Sequence, residues 1–566
     1  MNTRFIVIVF AVLLMSAALF PERAAAQQSC SSLMTLKLAK TTLTSAGLVP
    51  AGKFTAPPGS VGGRGPSDLP AFCRVAGVIK PTSDSDIQFE LWMPAKNWNG
   101  RFEQVGNGGF AGRIQLALMV PALRSGFATA STDDGHTGGG DPTWAIGHPQ
   151  KVIDFGYRAV HETAQKSERI IRAFYGRAPH RAYFNGCSDG GREALMEAQR
   201  FPDDFSGILA GAPANFWTHI FTGFVWNEQA MLTKPASYIP ASKLPAIERA
   251  ALAACDALDG VRDGVINDPR RCHFDPAALR CQGADGPGCL TGPQVETLRK
   301  IYAGPSDLRT GRQIFPGFEP GAEAAPSDWP AWITGKSPRG GLQFFFANGF
   351  FANMVFGNPK WDFRTFDFDK DTELADRKLG PILNSTNPNL RPFKARGGKL
   401  ILYQGWADSA VAPLNTINYY ESVVAAIGGK AHRRNKGAAL EETRNFFRLF
   451  MAPGMGHCGG GTGPNSFGAL MHPPAAPNDP EHNAFLALRQ WVEKGVAPNK
   501  IIATKYVHNK PAYGILRTRP LCPYPQIAVW TGKGSTNDAA NFVCRLPGKR
   551  SKPGSDPGRM RNLSPK

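Results

Sequence analysis

The five residues Gly186-Cys187-Ser188-Asp189-Gly190 sit between a strand-like run, Arg181 to Asn185, and a helix-like run that begins at Arg192. A strand that turns directly into a helix leaves little room for side chains where the backbone crosses itself. A glycine on each side of the serine removes that obstacle, and the turn then lifts the serine hydroxyl above the end of a sheet. A glycine-rich turn capped by Ser188 or Asp189 would satisfy the same five letters, so the pentapeptide alone leaves both readings open.

The surrounding pattern narrows the choice. Between Ile87 and Phe205, apolar strand-like runs alternate with helix-like stretches such as Tyr157 to Tyr175. Alternation of this kind implies a mostly parallel sheet with helices on both faces. From about Asn215 to Arg396 the pattern gives way to segments rich in glycine, proline and aromatics. It resumes at Lys399 to Pro413 and again in a strand-like run that leads to Cys458. The chain therefore reads as one α/β domain, residues 27–214 and 397–546, interrupted by an insertion over 215–396.

Asp408 follows one of the resumed strands and His457 follows the next. The order Ser, Asp, His, each in the loop after a strand, is that of an α/β-hydrolase fold. In such an arrangement His457 takes the proton of Ser188, and Asp408 fixes the imidazole tautomer and steadies the imidazolium. The charge that develops on the attacked carbonyl oxygen needs donors. The backbone N–H of Asp189 is one, and the glycine-rich Gly106 to Gly112 loop is placed to supply the other through Gly109, with Gly108 next to it. An ordinary glycine turn is the plainer reading of that loop.

Contact between Ser188 and His457 would also bring their neighbours Cys187 and Cys458 to a separation that a disulfide can span. The cysteine in the tight turn is then a clamp rather than a reactive thiol. The group Cys187-Ser188, Asp408 and His457-Cys458 resembles the CS-D-HC signature of the tannase and feruloyl esterase family, to which mono(2-hydroxyethyl) terephthalate hydrolases also belong. The resemblance runs over essentially the whole mature chain. It implies a large lid domain formed by residues 215–396 and a serine esterase acting on small esters of phenolic, cinnamic or benzoic acids. It also implies the pairs Cys30 with Cys73, Cys255 with Cys272, Cys281 with Cys289, and Cys522 with Cys544. Feruloyl esterase, tannase and terephthalate monoester hydrolase all fit. A secreted binding protein on a hydrolase scaffold and a generic lipase are less economical, because Ser188, Asp408 and His457 are all present and the insertion carries paired cysteines.

Two features of the insertion bear on ligands. Asp256, Asp259 and Asp263 fall within eight residues of a Gly-containing loop, an oxygen-rich set suited to calcium rather than zinc, although a solvated acidic turn reads nearly as well. The family resemblance implies a structural calcium held by those three carboxylates and the carbonyls of Val261 and Val265. Pro338 to Gly357 holds six phenylalanines in 20 residues. Such an aromatic wall suits an aromatic acyl group or simply a packed core. Phe345 and Phe350 are the candidates there, with Arg339 as a partner for a substrate carboxylate.

The chain ends set the compartment. Residues 1–26 read as a signal peptide, with Arg4 before an apolar run and Ala24-Ala25-Ala26 at the cleavage site, so a secreted or periplasmic protein is expected. Ten cysteines agree with an oxidising environment. The net charge of +19 is scattered except in the basic, Pro/Gly/Ser-rich tail 547–566, expected to be disordered, and no nucleic-acid-binding module is recognisable. No later apolar run has the length of a membrane span.

Overall fold

The computed structural model describes residues 28–57, 66, 68–138, 140–432, 435–470 and 476–547. The expected signal peptide and almost all of the basic tail lie outside them. Nine strands form the main sheet: β1 (Thr41–Val49), β2 (Phe72–Ile79), β3 (Ile87–Pro94), β4 (Arg101–Val105), β5 (Ala128–Thr132), β6 (Arg181–Cys187), β7 (Gly207–Gly211), β8 (Lys399–Gly405) and β9 (Phe447–Ala452). Their order is β1-β2-β3-β5-β4-β6-β7-β8-β9, antiparallel from β1 to β5 and parallel from β5 to β9.

The parallel strands are buried along nearly their whole length because each face meets helices. In β8, Leu400 and Leu402 point to the face covered by helices Ala159–Tyr175, Asp189–Arg200 and Pro413–His432. Ile401 and Tyr403 point to the other face, where Leu488 and Trp491 of helix Ala484–Lys494 pack. Ile208 and Leu209 of β7 divide in the same way. Burying each such side chain contributes about 1.5–3 kcal/mol, so the sheet is fixed in register by both layers.

Between β7 and β8, among the described residues, the chain forms helices and loops with no named strand. The expectation of an irregular insertion thus gives way to a helical one. Helix Gly292–Ala303 shows why: Thr291 and Gln294 make a reciprocal capping box, and Pro293 sits in the first turn, where its missing N–H costs nothing. This insertion has its own apolar core, which joins Phe110, Phe155, Val411 and Ala412 of the sheet domain. Leu390 and Phe393, inside the span assigned to the insertion, pack instead in the core beneath the sheet. After β9 the chain adds two small hairpins, β10 (Ile501–Tyr506) with β11 (Ile515–Leu521), and β12 (Ile527–Trp530) with β13 (Phe542–Arg545). No helix among the described residues is long and apolar enough to cross a membrane.

Candidate active site

Ser188 stands between the end of β6 and the first turn of helix Asp189–Arg200, at φ +67° and ψ −119°. A non-glycine residue held there is strained, and the surroundings fix it: its N–H donates to Gly211 O at 3.0 Å and its carbonyl accepts from Ala214 N at 3.0 Å. A Cβ on Gly186 would lie 2.4 Å from Gly190 O, and one on Gly190 would lie 2.9 Å from Asn107 O. Both glycines of the pentapeptide are therefore required by backbone crossing.

Ser188 Oγ lies 2.8 Å from His457 Nε2, and His457 Nδ1 lies 2.9 Å from Asp408 Oδ2 and 3.1 Å from Oδ1. Asp408 is held as an acceptor by Gln404 Nε2 and by the backbone N–H groups of Ala410 and Val411, each at 2.8 Å. With that carboxylate on Nδ1, the imidazole presents Nε2 to the serine, an arrangement able to accept the hydroxyl proton and return it to a leaving group.

The loop after β4 closes over the serine turn. Gly190 N donates to Asn107 O at 2.9 Å, and Gly109, at φ +60°, lines the cleft with Ser188 and Asp189. Asp189 is the first residue of its helix, so its backbone N–H has no acceptor within that helix. The remaining wall is apolar: Ala214, Trp217, Ile220, Phe221, Phe224, Trp332, Phe346, Ala410 and Val411. Trp332 also meets the His457 ring edge to face, with centroids 5.0 Å apart. Four residues before it, the buried carboxyl of Asp328 accepts from the His457 backbone N–H. Burial and then the nearby Asp408 charge push its pKa well above the usual range.

The lining corrects three expectations. Phe346, not Phe345, faces the serine; the two neighbours differ by about 100° around a helix, and Phe345 is left 46% exposed. Phe350 is fully buried and stacks on Phe221, which separates it from the cleft as part of the insertion's core. Arg339 lies on the surface, its guanidinium 5.8 Å from the Phe344 ring, and does not line the cleft. Trp217, Phe221 and Trp332 were missed; the aromatic run Phe216-Trp217-Thr218-His219-Ile220-Phe221 was the available signal.

The structure brings together each of the five cysteine pairs named above. Cys187 and Cys458 have Cα atoms 6.0 Å apart, directly beside Ser188 and His457. The Cys255–Cys272 bridge closes the acidic loop. There Asp256 Oδ2 accepts from Gly264 N at 3.0 Å, Asp259 Oδ1 from Val261 N at 2.9 Å, and Asp263 Oδ1 from Val265 N at 3.2 Å. Three carboxylates on one short loop are the donor type a hard cation takes, although in this conformation their oxygens do not all come within 4.8 Å of one another. Arg519 and Arg517 of β11 already pair with Asp263, Arg517 at 3.1 Å, and a bound ion would compete with them.

Comparison with known proteins agrees with this fold. The tannase and feruloyl esterase family profile matches residues 73–545. An uncharacterised esterase of Xanthomonas campestris pv. campestris is 50% identical over 532 residues, covering 92% of each chain. The mono(2-hydroxyethyl) terephthalate hydrolase of Piscinibacter sakaiensis is 34% identical over 549 residues, covering 85% of each. The crystal structure of feruloyl esterase B from Aspergillus oryzae superposes with a TM-score of 0.81 at 29% identity, covering 91% of this chain and 99% of that one. The profile match over residues 73–545, the relatives of 34–50% identity and the superposition on feruloyl esterase B place this chain in the tannase and feruloyl esterase family as a carboxylic ester hydrolase.

Proposed function

We propose that the protein hydrolyses small esters of aromatic acids through an acyl-enzyme on Ser188, with His457 as general base and acid and Asp408 as its orienting carboxylate. The observation that carries this reading is the 2.8 Å contact between Ser188 Oγ and His457 Nε2 at the mouth of a cleft walled by Trp217, Phe221, Phe224, Trp332 and Phe346. Ser188 attacks the ester carbon while His457 takes its proton, and the oxyanion is met by the N–H groups of Asp189 and Gly109. His457 then protonates the departing alcohol. In the second half a water attacks the acyl carbon, gives its proton to His457, and the acid leaves as Ser188 is restored. Aromatic rings around the serine favour a flat acyl group, because stacked and edge-to-face contacts add to the burial of its surface. The insertion acts as the lid, since it supplies all five of these rings.

A hydrolysis panel of methyl ferulate, methyl gallate and mono(2-hydroxyethyl) terephthalate is expected to show kcat/KM for the best of these at least about tenfold above that for an aliphatic ester of equal size, a pocket difference of roughly 1–3 kcal/mol. Equal rates on the aliphatic ester would sink the aromatic reading while leaving the esterase in place.

The leader-like sequence of residues 1–26 and the five disulfides support export to an oxidising compartment. The acidic loop is read as a calcium site of structural role, with Asp256, Asp259 and Asp263 and the carbonyls of Val261 and Val265 as ligands. Bound calcium would supply charge neutralisation that tightens the loop far along the chain from the serine. A chelator is then expected to lower Tm, and millimolar calcium to restore it, because an ion that binds only the folded state stabilises it by mass action. An unchanged melting curve, with no metal found by elemental analysis, would leave Arg517 and Arg519 as the loop's own counter-charges.

A further inference from the structure

Beneath the serine turn, three carboxyl groups and one guanidinium are shut away from solvent. Asp134 in the loop after β5, and Asp189 and Glu193 in the helix after Ser188, are at most 2% exposed, and their oxygens lie within 4.8 Å of one another. Arg192, also fully buried, donates to Asp189 Oδ1 at 2.5 Å and gives its other N–H groups to the carbonyls of Gly156 and Phe155. One cation is thus matched to Asp189. Among the described residues no lysine, arginine or histidine pairs with Asp134 or Glu193.

Both of those carboxyls grip Asn107. The Asn107 backbone N–H donates to Glu193 Oε2 at 3.0 Å and its Nδ2 donates to Asp134 Oδ2 at 3.0 Å. The second oxygens, Asp134 Oδ1 and Glu193 Oε1, are buried with no other donor. Asp134 sits at φ +62°, a left-handed conformation that aspartate tolerates better than most residues. Asn107 in turn accepts from Gly190 N, the residue after Asp189, and lies two residues before Gly109. It therefore bridges the two backbone segments whose N–H groups are assigned to the oxyanion.

We propose that Asp134 and Glu193 share one proton, and that this carboxylic acid–carboxylate pair is a clamp that positions the Gly109 and Asp189 N–H groups through Asn107. The proposal rests on the reading of Gly109 and Asp189 given above. Two adjacent carboxylates in an apolar interior cannot both be ionised, so one must carry a proton and donate it to the other. Burial, followed by the charge of Glu193, holds the Asp134 pKa well above the usual carboxylate range. Of the charged groups around the pair, Arg192 pulls the Asp134 pKa down, but less than burial and Glu193 push it up, and its hydrogen bonds go to Asp189 and two backbone carbonyls. Asp189 is paired with Arg192, yet burial and the Glu193 charge still push it up to about 7, and Glu197 lies one turn along the same helix. Against the β5 loop, Asp133 is pushed up to about 8 chiefly by burial, His136 is pushed down to about 4 chiefly by burial, and Asp154 is taken by Arg158.

The sign follows from the shared proton. Its loss at alkaline pH sets two charges against each other, opens the clamp and lowers kcat, with KM little changed. The test is kcat and KM against pH for the wild type, Asp134→Asn, Asp134→Ala and Ser188→Ala on one ester. An asparagine keeps a donor for Glu193 and an acceptor for Asn107 without needing a proton. Asp134→Asn is therefore expected to move the alkaline fall in kcat upward by at least about one pH unit and to restore most of what Asp134→Ala loses. That loss should be about 10- to 100-fold in kcat, the scale of a misplaced oxyanion donor. An Asp134→Asn profile that superimposes on wild type overturns the clamp, as does wild-type kcat in Asp134→Ala. Should the alanine variant fail to fold, the asparagine profile decides. An active Ser188→Ala enzyme would instead overturn the reading on which the clamp rests.

Discussion

Ser188→Ala is expected to lower kcat by about 10⁴- to 10⁶-fold while the protein keeps its fold and melting temperature within a few degrees. The expectation is specific because removing one hydroxyl disturbs little else. The backbone of Ser188, not its side chain, makes the bonds to Gly211 and Ala214 that hold the turn. Alanine accepts the same backbone angles at a cost similar to that of serine, since the clash at positive φ comes from the Cβ atom that both carry. The rate that survives would come from binding and from the oxyanion donors alone. Purified Ser188→Ala enzyme that turns over within tenfold of wild type would remove Ser188 as the nucleophile. A protein that melts far below wild type would show that the hydroxyl serves the fold instead.

The parts of the site that were legible in the sequence are those whose chemistry is written within a few adjacent letters. Gly186 to Gly190 announces a crossing turn because only glycine fits there, and the strands before Asp408 and His457 are recognisable by the apolar runs Leu400 to Tyr403 and Leu449 to Ala452. Cys187 and Cys458 could be paired because each adjoins a residue whose partner was already named. What stayed hidden depends on direction around a helix or on neighbours distant in sequence. Phe345 and Phe346 are equivalent letters, and only the rotation of their helix decides which faces Ser188. Asn107 looked like part of a glycine turn; its grip by Asp134 and Glu193 spans 27 and 86 residues. Arg517 and Arg519 reach Asp263 across more than 250 residues, so nothing near the acidic loop foretold its counter-charges. The antiparallel strands β1 and β2 lie at the sheet edge, where β1 is half-exposed and lacks the continuous apolar run that marks the central strands.

Replacing Cys187 and Cys458 together by serine is expected to lower kcat by about a hundredfold, the scale of a displacement near 1 Å between reacting groups. The bridge closes a sequence separation of 271 residues and joins the turn that carries Ser188 to the loop that carries His457. Each of those loops is well tied to something else. Ser188 is tied to β7 through Gly211, while the histidine loop is tied to the Asp408 loop through Ala407 N to Met455 O at 2.9 Å. Among the described residues, the hydrogen bond that joins the two loops directly is the Ser188–His457 contact, which catalysis must repeatedly break and remake, so the disulfide is their lasting link. Cys458, like Ser188, sits at positive φ, so both ends of this connection hold backbone that would relax if released. The His457–Asp408 bonds do not depend on the bridge and should persist, which makes the defect one of approach between serine and imidazole. Substrate binding in the aromatic cleft should therefore change less than kcat. Chain entropy for so long a loop gives about 5.6 kcal/mol of stabilisation, an upper bound that measured bridges often miss, so Tm should fall while the protein remains folded at 25 °C. The measurement is kcat and KM at that temperature alongside a melting curve and a thiol count. Full turnover in the double variant, or free Cys187 and Cys458 thiols in active wild-type enzyme, would show that the neighbouring cysteines do not set the distance between Ser188 and His457.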